Sequence, residues 1–260
     1  MESLSVIIHT RNEERNVKAC IESARLLSDD VMLIDMQSID KTVAIAKRFG
    51  VQVKNFPFTH YVEPARAFGI THARGSWVFI LDADERITPA LAKEIKNVVR
   101  RNDSKMGCFK VPRKNIFGKK KWLEHGGWWP DYQIRLIHKP HFKNWPTAIH
   151  STPQIIGEMG FLKEPLLHYF HGDLAAMVTK TTVFEEIEAD LLYKAGRRVT
   201  TLTFFRKFLA ELYRRLIRDK GFLDGAIGFI ESIYQAYSKT ITYFFLYEKR
   251  MVHHGKKQHS

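Results

Sequence analysis

Cysteine is nearly absent from this 260-residue chain. Cys20 and Cys108 are the only two, with neither the density of a disulfide framework nor the spacing of zinc ligands. That excludes a disulfide-stapled secreted scaffold and suits a reducing compartment. Long apolar runs are missing too: none approaches the ~18 to 20 residues a membrane-spanning helix needs. Met1-Glu2-Ser3-Leu4 leads straight into a strand-like run, with no leader of the signal type. Acidic residues are scarce beside basic ones, 28 against 41, which leaves a formal net charge of +13. A polyanionic or anionic-surface partner is expected from that excess. Hydrophobic content of 45% with 27% charged residues is that of a folded chain. The length suffices for one α/β domain with a substantial core plus an appendage. The expected location is the cytoplasm, free or at a membrane surface.

What is present in the first hundred residues is alternation. Leu4 to Ile8, Val31 to Ile34, Val51 to Lys54 and Trp77 to Leu81 read as short buried strands. Between them Asn16 to Leu26, Lys41 to Phe49 and Pro64 to Ala73 carry apolar residues at helical spacing, with Gly50 and Gly75 as stops. Strands separated by helices of about ten residues mean crossover connections and a mostly parallel sheet. In such sheets ligands bind beyond the carboxyl ends of the strands.

Three of those ends carry polar clusters that a core does not need: His9 to Glu14, Asp35 to Thr42, and Asp82-Ala83-Asp84. Thr88-Pro89 already supplies the cap and first residue of the next helix, so Asp82 and Asp84 are not required there. Paired carboxylates at a strand tip suit Mg²⁺ or Mn²⁺, hard cations often held by one or two carboxylates plus substrate phosphates.

These motifs resemble those of the family-2 glycosyltransferases with the GT-A fold. The family's P-T-Y-N-E-E corresponds to His9-Thr10-Arg11-Asn12-Glu13-Glu14, and V-D-D-G-S-T-D-x-T to Ile34 through Thr42. Its D-x-D corresponds to Asp82-Ala83-Asp84. Trp129-Pro130-Asp131-Tyr132-Gln133-Ile134-Arg135-Leu136 and Lys220-Gly221-Phe222-Leu223-Asp224-Gly225 resemble the bacterial lipopolysaccharide-core glucosyltransferase subgroup. The chain departs from the family pattern at His9, Arg11, Met36 and Ala67. The resemblance implies a Rossmann-like nucleotide-sugar-binding domain with a mostly parallel central sheet, plus a C-terminal α-helical extension. It implies that Thr10, Asn12 and Glu13 contact the nucleoside and that Asp35 hydrogen-bonds the base, commonly uracil. Asp82 would lie by the ribose and the metal, Asp84 would ligate the metal, and Arg66 would approach the diphosphate. His150, where the subgroup has Val-His-Glu and this chain has Ile149-His150-Ser151, is a further metal-ligand candidate.

Residues 105 to 171 hold four of the five tryptophans: Trp122, Trp128, Trp129 and Trp145. Gly126-Gly127-Trp128-Trp129-Pro130-Asp131 cannot be regular helix, and Gln133 to Ile137 reads as a strand bearing Arg135. Aromatic faces are good platforms for sugars, so Trp128, Trp129 and Arg135 are the expected acceptor contacts. Asp131, in a loop beside Trp129, is the candidate general base, with neighbouring rings expected to raise its proton affinity. His168 and His171 flank Tyr169-Phe170, but no third ligand at zinc-like spacing accompanies them.

The expected organisation is a catalytic domain over 1–171, divided into a nucleotide-sugar half (1–104) and an acceptor half (105–171), followed by a helical region over 172–260. That region reads as helices from Asp173 to Ala195, Thr203 to Arg218 and Ala226 to Arg250. The second combines Phe204, Phe205, Phe208 and Leu209 with Arg206, Lys207, Arg214, Arg215 and Arg218, the pattern of a membrane-interface helix. An anionic membrane surface or a second copy of the chain is the expected partner. The expected activity is inverting, metal-dependent hexosyl transfer, with glucose from UDP-glucose favoured, to a lipopolysaccharide-core or other glycolipid or saccharide acceptor at the inner face of the cytoplasmic membrane. Two alternatives are sugar-phosphate nucleotidylyl transfer, against which His9 to Glu14 lacks a Gly-rich loop, and a basic nucleic-acid-binding protein, against which no nucleic-acid module appears.

Overall fold

The computed structural model describes residues 3–118, 120–170 and 174–257; His171 and the expected helix start at Asp173 lie outside them. Two compact units form, Met1–Lys114 with Pro130–Tyr169, and Asn115–Trp129 with Phe170–Ser260. Each is described by itself.

In the first unit the apolar runs become β1 (Leu4–Thr10), β2 (Val31–Asp35), β3 (Gln52–Asn55) and β4 (Trp77–Asp82). They pair in parallel in the order β3-β2-β1-β4. The crossovers are helices α1 (Val17–Ala24), α2 (Thr42–Arg48) and α3 (Glu63–His72). β1 is buried almost throughout because it is covered on both faces, as parallel strands are. Val6 and Ile8 join Ile21 of α1 and Leu91 and Ile95 of α4 (Pro89–Arg101) on one side. Ile7 joins Ala65 and Ile70 of α3 on the other. The Thr88 side chain accepts from Leu91 N at 3.1 Å, with Pro89 inside the first turn, as the sequence predicts.

The sheet then changes direction. β5 (Glu85–Arg86) follows the aspartate pair, β6 (Met106–Phe117) leaves the first unit at Lys114, β7 (Lys121–Trp122) lies beyond it, and β8 (Asp131–His138) returns. β8 lies antiparallel between β4 and β6. A two-stranded ribbon of β9 (Phe142–Asn144) and β10 (Gln154–Ile155) precedes β11 (Glu158–Phe161), which runs along β6, and β12 (Leu166–His168). β12 pairs antiparallel with β5, setting His168 opposite Glu85. The result is an α/β fold with a mostly parallel central sheet and an antiparallel flank.

The second unit is helical: α5 (Leu174–Lys194), α6 (Thr201–Leu212) continuing as a π-helix over Tyr213–Arg218, a 3-10 turn Gly221–Asp224, and α7 (Gly225–Lys257). Tyr234 of α7 bonds Met177 O of α5 at 3.1 Å, and Phe204 of α6 meets Phe244 of α7 at 4.6 Å between ring centroids. The expected acceptor half, 105–171, does not stay whole, because Asn115–Trp129 belongs to this unit. The cause is Asp224. Its buried carboxylate accepts from Glu124 N, His125 N and His125 Nδ1 at 3.0, 2.8 and 3.1 Å. Arg215 adds a bond to Gly126 O at 3.0 Å. A buried carboxylate requires such donors, and the glycine-tryptophan loop supplies them.

Candidate active site

The parallel register aligns the three polar strand ends. Thr10 lies opposite Asp35, and His9 opposite Asp82. The loops behind them are stitched together: Asn12 N donates to Ser38 Oγ at 2.9 Å, Ile39 N to Asn12 Oδ1 at 2.8 Å, and Glu13 N to Thr42 Oγ1 at 2.8 Å. Asn12 holds a left-handed conformation (φ 53°) to do so. Asp35 Oδ2 accepts from Ser38 N at 3.0 Å. Its Oδ1 and the neighbouring Thr10 Oγ1 are buried without a hydrogen-bond partner. Two such atoms side by side at strand tips call for a polar ligand, because burying them unsatisfied costs about 1–3 kcal/mol each.

Asp82 is the centre of a chain of alternating charges. Arg66 approaches it from α3 at 2.7 Å, and Arg135 from β8 at 2.6 Å. The same Arg135 nitrogen reaches Glu85 at 2.6 Å, whose other oxygen accepts from Asp82 N at 3.0 Å. Arg113 links Glu85, at 3.4 Å, to Asp131, at 2.6 Å. Buried carboxylates and guanidiniums are tolerable here only because every one is paired.

Two local features build this chain. The β6–β8 register slips between Phe109 and Lys110, so that Phe109 pairs with Leu136 but Lys110 with Ile134. Arg135 is the extra residue of a β-bulge, a device that re-aims a side chain. On the other side, a Cβ on Gly69 would lie 2.9 Å from Ile7 Cδ1 and 3.0 Å from His9 Nε2. Glycine there lets α3 close on β1 and bring Arg66 to its carboxylate.

The electrostatics follow. Burial favours the neutral form of Asp82, but Arg135 and then Arg66 outweigh it and hold the carboxyl well below its usual range. Burial, assisted by Arg66, pushes His9 down to about 3. The neutral ring fits its contacts, Nε2–H donating to Ala65 O and Nδ1 accepting from Arg66, both at 3.2 Å. Asp82 and Glu85 hold Arg135 protonated against its own burial.

Asp84, two residues on, meets an imidazole. Its carboxylate lies 3.4 Å from Nε2 of His168, delivered by the β5–β12 pairing. His150 is elsewhere: its backbone N, at φ 59°, donates to Glu63 Oε1 at 2.8 Å. Among the described residues no three His, Cys, Asp or Glu side chains form a metal cage. A carboxylate and an imidazole nonetheless fit a hard cation whose other ligands are diphosphate oxygens and water. Asp82, with both oxygens taken by guanidiniums, is less suited to that role.

The surroundings of Asp131 and Arg135 differ from expectation. Asp131 opens strand β8 instead of sitting in a loop. Its carboxylate meets Arg113 and, at 2.7 Å, Gln133 Nε2, so cations and amides replace the expected desolvating rings. Arg135 is buried, held between two carboxylates instead of extending to an acceptor. Trp128 and Trp129 belong to the helical unit, where Trp128 meets Phe170 at 4.8 Å and Trp129 meets Trp122 edge-on at 5.5 Å. In the first unit a cavity of about 670 Å³ opens over Asp82, with Arg66, Arg135, Trp145, Tyr132 and His150 in its walls. That volume suits a small-molecule site.

Glu85 and Arg113 were not singled out from the sequence, and His168 was set aside with His171 for want of a third zinc ligand. Glu85 carries a faint signal as a third acidic residue after the aspartate pair. His168 is visible as one of a histidine pair, but its partner is not, because the two-residue strand β5 that delivers it is too short to be read.

The sequence profile of the family described as Glycosyl transferase family 2 matches residues 5–169. The chain is similar to an uncharacterized glycosyltransferase of Rickettsia conorii, 24% identical over 249 residues, covering 92% of this chain and 87% of that protein. It is also similar to the lipopolysaccharide core biosynthesis glycosyltransferase LpsC of Rhizobium meliloti, 23% identical over 261 residues, covering 95% and 92%. In fold it is similar to glucosyl-3-phosphoglycerate synthase from Mycobacterium tuberculosis. The complex of that enzyme with phosphoglyceric acid gives a TM-score of 0.50 at 14% identity, covering 76% of this chain and 82% of that one. Its complex with Mn²⁺, uridine-diphosphate and phosphoglyceric acid also gives 0.50, at 13% identity, covering 76% and 80%.

Proposed function

The chain belongs to glycosyl transferase family 2, which sets aside the nucleotidylyl-transfer and nucleic-acid readings, and we propose that it moves a hexose from a uridine-diphosphate donor to a glycolipid or saccharide acceptor with inversion. The carrying observation is the juxtaposition of an unsatisfied acceptor at Asp35, a doubly clamped Asp82 and an Asp84–His168 pair along one edge of one sheet.

Asp35 Oδ1 accepts from the imino N–H of the base, and Thr10, with Asn12 and Glu13 behind it, frames the nucleoside. Asp82, held ionised and rigid by Arg66 and Arg135, receives the ribose hydroxyls. Asp84 and His168 would hold Mg²⁺ or Mn²⁺, which would supply neutralisation of the charge developing on the leaving diphosphate. The metal reading is supported by the Mn²⁺ and uridine-diphosphate complex of the synthase of similar fold. His150 stays a candidate contact from the cavity wall. Asp131 takes the proton of the acceptor hydroxyl, and Arg113 and Gln133 orient its carboxylate for that transfer. One displacement with one base inverts the anomeric carbon. Similarity to LpsC supports a lipopolysaccharide-core acceptor, and hence a working place at the inner face of the cytoplasmic membrane; glucose is the sugar favoured by the motif resemblance.

Thermal shift with UDP, ADP, GDP and CDP, with and without Mn²⁺, tests the reading. UDP should stabilise the protein only with metal, because a ligand that binds only the folded state raises its stability. Asp84→Asn and His168→Ala should each abolish that shift. Asp131→Asn should keep the shift and lose turnover, since the base acts in the transition state. Equal UDP shifts with and without Mn²⁺, or an Asp131→Asn enzyme with full activity, would refute the corresponding part.

A further inference from the structure

We propose that the outward face of α6 and its π-helical continuation is a docking surface for an anionic lipid bilayer. α6 divides its apolar residues between two faces. Phe204 turns inward, against Phe244 and Tyr247 of α7. Leu202, Phe205, Leu209, Tyr213 and Ile217 form a second stripe, each more than half exposed. Their spacing of three or four residues keeps them on one side of the helix. A stripe of five large apolar side chains left in water beyond those used for packing marks an interaction site.

Charge selects the occupant. Residues 201–220 hold six basic side chains and two acidic ones. Both acidic ones are engaged, Glu211 by Arg214 and Arg215, and Asp219 by Arg218. Arg206, next to Phe205 in the chain, is exposed, and so are Arg218 and Lys220 at the far end. A second copy pairing through this stripe would set like charges against like charges. An anionic headgroup layer meets them with opposite charge while its acyl boundary takes the rings. Tyr213, with an apolar ring and a polar tip, suits the level of the headgroups. No described helix is long and apolar enough to cross a membrane, so the contact lies in the plane of the surface.

The inference deepens the membrane placement proposed above and rests on that reading only for its purpose, since the contact is tested without substrate. The full chain is sedimented with vesicles of phosphatidylcholine alone or of equimolar phosphatidylcholine and phosphatidylglycerol, at low and high salt. Binding to the anionic vesicles that weakens with salt is expected. Phe205→Glu with Leu209→Glu should weaken it by roughly an order of magnitude or more. Arg206→Glu with Lys220→Glu should remove the preference for phosphatidylglycerol. Circular dichroism and the UDP–Mn²⁺ thermal shift should be unchanged in all variants, which separates this test from that of the active site. Undiminished vesicle binding by the Phe205/Leu209 variant overturns the proposal. So does a dimer seen by light scattering that the same variant dissolves, with no binding to either vesicle.

Discussion

Acidifying the medium from pH 7.5 to pH 5 should weaken the fold through His9 alone by about 2 kcal/mol. In the folded chain burial, assisted by Arg66, pushes this imidazole down to about 3. In the unfolded chain it titrates near 6.5. Between those values the unfolded state binds a proton that the folded state refuses, so stability rises with pH across this window and levels off above it. Each pH unit below 6.5 costs about 1.4 kcal/mol until the folded value is reached. At pH 5 that is one and a half units, hence the 2 kcal/mol. Urea denaturation at pH 7.5, 6.5 and 5 measures it against His9→Gln. Glutamine can still donate to Ala65 O and accept from Arg66, but it does not titrate. The variant should lose about 2 kcal/mol less than the parent chain over the same interval. Equal losses in the two proteins would mean that the ring is protonated where it lies, and the account of Arg66 aimed at Asp82 through a neutral His9 would fall.

Removing the shared guanidinium by Arg135→Met should cost about 3 kcal/mol in chemical denaturation, because Glu85, fully buried, would keep as its ion pair only the longer contact to Arg113, while Asp82 keeps Arg66. Asp224→Ala deletes the acceptor of two backbone amides and an imidazole. About 1.5–3 kcal/mol of protection should be lost there, read as faster hydrogen exchange at Glu124 and His125 while the amides of β1 and β4 keep theirs. At Gly107→Ala the new Cβ would stand 2.1 Å from the carbonyl oxygen of Ile156. The backbone must move, and the melting temperature should fall by an amount equivalent to about 1–3 kcal/mol.

Much of the catalytic half was legible before any coordinates. β1, β2 and β4 appear where unbroken β-branched and aromatic runs place them, and the helices between them end within a few residues of expectation. Burial on both faces leaves such strands no alternation to misread. The gathering of Thr10, Asp35 and Asp82 followed from the parallel order, since ligands collect where parallel strands end. The surroundings of Asp131 were misread because they depend on Arg113, eighteen positions away, across a strand pair whose register slips once. His168 was set aside for the same kind of reason: its partner Asp84 is far away in sequence and is reached only through the β5–β12 pairing. The division at Asn115–Trp129 was hidden as well, because it hangs on the carboxylate of Asp224, and the motif Lys220 to Gly225 does not say that its partners lie at Glu124 and His125.

The chain by itself determined the layers, the edge that carries the polar residues and the excess of positive charge, since all three arise from local pattern and composition. Tertiary structure alone decided which guanidinium meets which carboxylate, which histidine stands by Asp84, and which apolar face of α6 stays in water. Those are contacts between segments far apart in sequence. Their partners are selected by register, by one bulge and by the close approach of one helix, and no periodicity along the chain encodes them.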